Sequence, residues 1–348
     1  RYRVGPESAG ANPGPASYRR GGPLTVTDAN VMLGKLPMFP SVFGPGGDLS
    51  LDQDRVKTLF SALAENIRAE TGDNRTPEQV AEGFLTVAVE NMAAAIKKIS
   101  VQKGYNVSSY TLCCYGAAAG QHACKVADRL GMSRVMIHPF AGVLSAYGMG
   151  LADFRLLKDQ ALEKPWEDVS KDELARVLNQ LDAEGRLAMR SQGVDDERIR
   201  SIYSLHIRYL GTDTSLQIEF SDKDTMLAAF QTKYRKQFGF YYKNKPLVVE
   251  TALVEIIGMT EQAEDHLVVR DSTEKAEPAM VTEIFSGDRF QRTPVHQRGH
   301  LPPGRIVTGP AVIVEPTATT VIEPGWQGEI TERSDLILTR HEPVSYTH

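Results

Sequence analysis

Cysteine is scarce, with three in 348 residues. Cys113 and Cys114 are neighbours, so on one strand they point to opposite faces and do not pair readily. With Cys124 as the only other thiol, no disulfide framework can be built, and a reducing, cytoplasmic setting is expected. No apolar run approaches the roughly 20 residues that span a bilayer, and the start lacks the charged-then-apolar pattern of a signal peptide. A membrane is therefore not an expected partner. Nor does one sign of charge prevail: 39 Lys plus Arg against 44 Asp plus Glu leave −5, with no basic block. That speaks against nucleic acid as a partner. Several motifs are missing too. The eight histidines form no H-E-x-x-H and meet no C-x-x-C, and there is no G-x-S-x-G, Walker A or G-x-G-x-x-G pattern.

What remains is an ordinary globular composition, 41% hydrophobic and 24% charged, which excludes collagen-like, low-complexity and wholly disordered chains. At about 100 to 200 residues per domain, the length suggests two domains. The chain opens Arg1-Tyr2-Arg3-Val4 without Met, and a cut into a longer chain is expected. Residues 5–23 hold nine Gly and Pro, so a shaped loop is expected there. Thr27 or Asp28 would cap a short helix ending near Gly34. Long helices are expected over 52–70 and from Thr76-Pro77-Glu78-Gln79, a capping-box start with Pro in the first turn. Short apolar runs at 110–115 and 134–138, separated by a helix over 121–130, read as βαβ and a mostly parallel sheet. A further short helix is expected over 145–152. Residues 154–260 read as an α+β extension: a helix over 170–192 with a Ser170–Glu173 capping box, a hairpin of 199–209 with 214–220, and a helix over 223–237. The charged stretch 261–280 reads as a connector, and 281–348 as a small C-terminal β domain.

Three places could carry chemistry. In Gly5-Pro6-Glu7-Ser8-Ala9-Gly10-Ala11-Asn12-Pro13-Gly14-Pro15, small residues allow close backbone approach to a ligand, and Glu7, Ser8 and Asn12 offer a carboxylate, a hydroxyl and an amide. A tightly packed turn has the same composition. Gly116-Ala117-Ala118-Ala119-Gly120 lies between strand and helix, where backbone N–H groups favour an anion or polar ligand. A plain βα turn is the simpler account. His122, just beyond it, is a substrate contact or a capping and packing group. Asp28 could bind a metal or orient water; as a lone carboxylate at a helix start it reads first as a cap. Gly211-Thr212-Asp213 is better explained as a hairpin turn, and Cys113 and Cys114 as core thiols.

The run from Val4-Gly-Pro-Glu-Ser-Ala-Gly-Ala-Asn-Pro-Gly-Pro-Ala16 through Gly21-Gly-Pro-Leu-Thr-Val-Thr-Asp-Ala-Asn-Val-Met-Leu-Gly34 resembles the hydantoinase A and 5-oxoprolinase family. The likeness continues at Glu90-Asn91-Met92, Tyr115-Gly-Ala-Ala-Ala-Gly-Gln-His-Ala-Cys124, Gly142-Val-Leu-Ser-Ala-Tyr-Gly148, Ala152-Asp153 and Tyr209-Leu-Gly-Thr-Asp213. It resumes at Gly309-Pro-Ala-Val-Ile313, Thr319-Thr320 and Pro324-Gly-Trp326, covering nearly the whole chain. Within the family, Gly-Gln-His-Ala-Cys and Tyr-x-Gly-Thr-Asp look most like 5-oxoprolinase. Ala117 and Ala119 stand where the family usually has Gly, and Ser17 where it often has Cys.

The resemblance implies an α/β chain: the second lobe of an actin-like (sugar-kinase-like) ATPase fold, over 1–153 and incomplete at its N-terminus, followed by the mainly β C-terminal domain. It implies ATP and Mg²⁺ as cofactors, phosphate loops of the D-x-G-G-T kind in a missing N-terminal ATPase lobe, and a hydantoinase B-type subunit or domain as partner. A homo-oligomer stays open. The implied activity of the parent is that of an ATP-dependent cyclic-amide hydrolase in glutathione metabolism, opening 5-oxo-L-proline to glutamate. Glu7, Ser8, Asn12, Asp28 and His122 would then serve the lactam, and Gly116, Ala118 and Gly120 the nucleotide, while this chain alone would be inactive. An N-methylhydantoinase-type enzyme and a non-catalytic docking module are the alternatives.

Overall fold

A computed structural model describes residues 3–260 and 277–341, which divide into two compact units: one up to Ala146 and again from 277 onward, the other from Tyr147 to 260. Most of the expected connector lies outside the described residues.

The first unit begins with α1 (Val26–Met32), α2 (Gln53–Thr71) and α3 (Pro77–Gln102). The cap of α1 is Thr25, not Thr27 or Asp28: Asp28 sits at the third helical position and closes a capping box with Thr25. Asp52 caps α2, which ends at Gly72 with φ +75°. The Thr76–Gln79 box starts α3 with Pro77 in its first turn. Leu33, Val56, Phe60, Val80 and Leu85 bury the facing stripes of the three helices in one core.

Next come β1 (Leu112–Cys114), α4 (Ala123–Leu130) and β2 (Arg134–Ile137), with β1 and β2 parallel, then α5 (Leu144–Leu151). The second unit holds β3 (Phe154–Pro165), α6 (Lys171–Ser191), β4 (Ile199–Tyr209), β5 (Leu216–Glu219), α7 (Lys223–Phe238) and β6 (Leu247–Gly258). Its four strands form an antiparallel sheet ordered β3-β6-β4-β5. Leu174, Leu178 and Leu181 of α6 join the core over this sheet, and Gly185 leaves room for the Ile256 side chain. Ser170 caps α6 through the Glu173 amide, yet the expected box is not closed, because the Glu173 carboxylate accepts from Lys164 at 2.6 Å instead.

The chain then returns to the first unit through β7 (Met280–Phe285), β8 (Phe290–Gln297), β9 (Ile306–Thr308), β10 (Ala311–Val314), β11 (Thr319–Ile322), β12 (Trp326–Ile330) and β13 (Leu336–Arg340). Here the structure departs from the expected separate domain at 281–348. Strand β13 pairs antiparallel with β2, Leu336 facing Ile137, giving a five-stranded sheet ordered β1-β2-β13-β12-β9. The remaining strands form a second sheet, β11-β10-β8-β7. The mostly parallel sheet is likewise corrected: among the described residues only β1 with β2 and β8 with β10 run parallel. Two short strands bury too little apolar surface alone, and the returning chain completes their core with Trp326, Ile330, Leu336 and Leu338.

Candidate functional site

Within the first unit, the 5–10 loop and the start of α1 enclose a cleft of about 740 Å³. Phe60, Leu63, Phe84 and Leu24 supply apolar lining; Arg3, Glu7, Ser8, Thr25 and Thr27 supply polar groups. Glu7 and Ser8 are exposed, and Ser8 Oγ accepts from the Gly10 amide at 3.2 Å. The structure thus brings two of the expected residues together in a small-molecule-sized cavity. Asn12 is exposed but does not line the cleft.

Asp28 is not one of the cleft's lining residues. It is fully buried and faces away from the cleft, into the loop behind it. Its Oδ1 accepts from the Ser17 amide at 2.8 Å, and its Oδ2 from the amides of Ala16 at 3.0 Å and Thr25 at 2.8 Å and from Thr25 Oγ1 at 2.9 Å. A carboxylate so engaged has little acceptor capacity left for a metal or a water.

The 116–120 segment lies elsewhere, at the carboxyl end of β1. Gly116 has φ +100°, and a Cβ there would meet nothing within 4 Å. Its amide donates to Ala141 O at 2.8 Å, joining it to the loop that leaves β2. Ala117 and Ala118 are exposed, whereas Gly120 is buried against β11, where a Cβ would lie 2.6 Å from Thr320 Oγ1. The amides of Ala119, Gln121 and His122 are spent on local turns. Beneath the β2 loop, buried Arg298 pairs with Glu315 at 2.7 Å and donates to the carbonyls of Ile137, His138 and Ser334.

His122 likewise does not line the cleft. It is buried beside Asn30, whose Nδ2 lies 3.5 Å from Nε2 and donates to Gln121 Oε1 at 2.8 Å. Burial, reinforced by Lys35 and Lys125, lowers its pKa to about 4, so the ring is neutral at pH 7. Cys113, expected in the core, is exposed on the face of β1 opposite Cys114; Cys114 is buried, and burial pushes its thiol up to about 12.

A buried ionic cluster escaped sequence reasoning. Lys35 Nζ, with a fully buried side chain, lies 2.7 Å from Glu323 Oε1, Lys125 Nζ lies 3.9 Å from the same oxygen and 3.6 Å from Glu82, and Ser286 donates to Glu323 Oε2 at 3.2 Å. Burial alone would raise the Glu323 carboxyl; the two ammonium groups and the hydrogen bonds outweigh it and hold the group at about 2. Five segments remote in sequence meet here. A Lys following the Gly34 turn was the only local signal.

The hydantoinase/oxoprolinase family profile matches residues 1–158, and that of the hydantoinase/oxoprolinase C-terminal domain matches residues 163–338. This chain belongs to the hydantoinase/oxoprolinase family. A 5-oxoprolinase of Dictyostelium discoideum is 35% identical over 345 residues, 97% of this chain and 27% of the relative. The crystal structure of an ATP-dependent caprolactamase from Pseudomonas jessenii superposes with TM-score 0.80 at 29% identity, covering 97% of this chain and 50% of that one. A nucleotide-free acetone carboxylase shares the fold, with TM-score 0.73 at 20% identity over 97% of this chain and 49% of that one. The chain therefore spans between about a quarter and a half of the length of these proteins.

For a hydantoinase/oxoprolinase chain the fit of ATP and Mg²⁺ can be judged from the residues present. The open outer side of Gly116, Ala117 and Ala118 suits a nucleotide's flat base or sugar. With three neighbouring amides already bonded, the segment is poorly equipped to cradle phosphates. Among the described residues no three His, Cys, Asp or Glu side chains gather to hold a metal. Nor is any described helix long and apolar enough to cross a membrane.

Proposed function

We propose that this chain is part of an ATP-dependent cyclic-amide hydrolase of the 5-oxoprolinase type, converting 5-oxo-L-proline, ATP and water to L-glutamate, ADP and phosphate. The observation that carries this reading is the cleft of about 740 Å³, in which the family's Gly-Pro-Glu-Ser-Ala-Gly motif forms one wall. Relatives named for 5-oxoproline and caprolactam support a lactam as the ligand class. Phe60, Leu63 and Phe84 would receive the ring methylenes and exclude water, while Glu7 and Ser8 would meet the polar amide edge. An amide is a poor electrophile; ATP, held with Gly116 to Ala118 on its nucleoside side, would supply the phosphoryl group that makes the lactam oxygen a leaving group. Mg²⁺ and the phosphate-binding groups would come from a separate N-terminal ATPase lobe, and ring opening would involve a hydantoinase B-type partner.

In a second reading this chain is a docking module. Titration calorimetry separates the two. The enzyme reading expects 5-oxo-L-proline to bind this chain and Glu7→Gln to weaken that binding. The docking reading expects no heat with the lactam, or with ATP and Mg²⁺, together with tight binding to a hydantoinase B-type protein.

A further inference from the structure

The wall of the cleft is made of Gly, Pro, Ala and Ser, residues with little side chain to pack, yet it is tied into one conformation at identifiable points. The Gly14 amide donates to Ala9 O at 3.1 Å, and the Ala16 amide donates to Pro23 O at 2.9 Å. Gly22 passes so close to Gly14 that a Cβ on Gly22 would overlap the Gly14 carbonyl oxygen. These contacts are all short-range and backbone-made, and the Ala16–Pro23 bond and the Gly14–Gly22 approach would be lost if the two limbs of the segment parted. The ends are joined by the Ala16–Pro23 backbone bond and by one side chain. Asp28, itself without solvent exposure, accepts from Ser17 and from Ala16, whose amide it shares with Pro23 O, on the outgoing limb and from Thr25 on the returning limb, four donors on two oxygens. All four donors are neutral dipoles, so the carboxylate gathers them as a fixed anion gathers the amides of a turn. Of these residues and their neighbours, Ser8, Gly10, Pro15, Pro23 and Thr25 line the cleft.

We propose that Asp28 is the positioning residue of this cleft: its buried carboxylate clamps residues 16–17 to Thr25, fixes the wall that presents Glu7 and Ser8, and thereby sets affinity for the cyclic amide without touching it. The proposal rests on the substrate reading above for its ligand, and on hydrogen-bond geometry alone for the clamp.

Asp28→Asn tests both parts. The amide nitrogen of Asn is a donor, so it must turn toward at least one of the backbone N–H groups that the carboxylate accepted, and the tie between the limbs is released in part. Arg19 and Arg20 lie between the limbs and report on the release: trypsin should cut there at least about tenfold faster than in the wild type, as expected when local opening governs cleavage. Arg298→Lys, which perturbs a buried ion pair on another element, serves as the control for general destabilisation and should leave that rate unchanged. In the full-length enzyme, KM for 5-oxo-L-proline should rise at least about tenfold while kcat changes by less than about threefold, because only uniform binding is lost. If Asp28→Asn does not fold, Thr25→Ser, which keeps the hydroxyl, should leave trypsin cutting unchanged, and Thr25→Val, which removes the hydroxyl donor to Asp28 together with the α1 cap, should speed it. Unchanged cutting and KM overturn the clamp. A loss confined to kcat overturns positioning in favour of a part in the chemistry. Faster cutting with unchanged KM overturns the link from wall to ligand. If the wild-type enzyme opens neither 5-oxo-L-proline nor ε-caprolactam, the substrate reading fails and the ligand half of the proposal fails with it, and the trypsin rates alone still uphold or overturn the clamp.

Discussion

Replacing Glu323 with Gln should cost the first unit about 3–5 kcal/mol, the usual consequence of stripping the partner from a buried charge. The substitution preserves shape, and a carbonyl oxygen can still accept from Lys35. The charge is what disappears, and with it the one carboxylate that Lys35 touches at 2.7 Å while fully buried. Lys125 keeps Glu82 at 3.6 Å, so the loss falls on Lys35. Lys35→Met should be similarly damaging, because it leaves the carboxylate with Lys125 at 3.9 Å and the Ser286 hydroxyl. Combining the two removes both charges, and the double variant should recover to within about 1–2 kcal/mol of wild type. The two tryptophans make the measurement local: Trp326 is fully buried three residues from Glu323, and Trp166 lies in the other unit. Urea unfolding followed by fluorescence in a Trp166→Phe background therefore reports the first unit, which matters because a two-unit chain need not unfold in one step. Acid supplies a second arm. Glu323 is held at about 2 against an ordinary 4.5, so its contribution is complete above pH 4.5 and fades as pH falls toward 2. About 2.5 units correspond to about 3 kcal/mol at most. Glu323→Gln should flatten that limb. A cost below about 1 kcal/mol, or a double variant as unstable as the sum of the singles, would refute the account of Lys35 and Glu323 as a mutually dependent buried pair.

His122 titrates near 4 instead of 6.5, so the unfolded chain takes up its proton first and stability falls as pH drops from 6.5 to 4, by up to about 3 kcal/mol; His122→Gln should remove that slope, and the wild-type imidazole should remain neutral by NMR at pH 5. Gly120→Ala should cost about 1–3 kcal/mol, since the new methyl meets Thr320 Oγ1 at 2.6 Å and the Thr319 carbonyl at 2.9 Å, whereas Ala118→Gly at an exposed position should change the melting temperature little. Arg298→Met should cost about 3–5 kcal/mol by stranding Glu315, whose side chain is 5% exposed, and should accelerate hydrogen exchange at Gly116, whose amide bonds to the loop held by Arg298.

What could be read from the sequence divides along the range of the forces involved. Helix starts were legible where the determinants are neighbours: Pro77 and Gln79 beside Thr76 specify the start of α3 through bonds three residues apart. The same logic slipped at α1, where Thr25 and not Thr27 caps, because the winning arrangement also lets Asp28 collect Ala16 and Ser17 from across a loop. The glycine-rich motif announced a shaped wall, and Glu7 and Ser8 do face a cavity. Asn12 and Asp28 have equally suitable chemistry and do not, because direction depends on how the loop closes, and composition does not encode closure. The largest departure, the merging of 281–341 with β1 and β2, has the same origin. A strand's partner is chosen by where its apolar face finds a core, and Leu336 and Leu338 find theirs against Ile137 and Val135, some 200 residues away. The ionic cluster is the extreme case: Lys35, Glu82, Lys125, Ser286 and Glu323 are each unremarkable locally, and burial alone would disfavour both members of the central pair. They are charged together because the fold brings opposite charges into contact where Lys35 and Glu323 are buried, so their pairing is a property of the assembled unit and of no shorter segment.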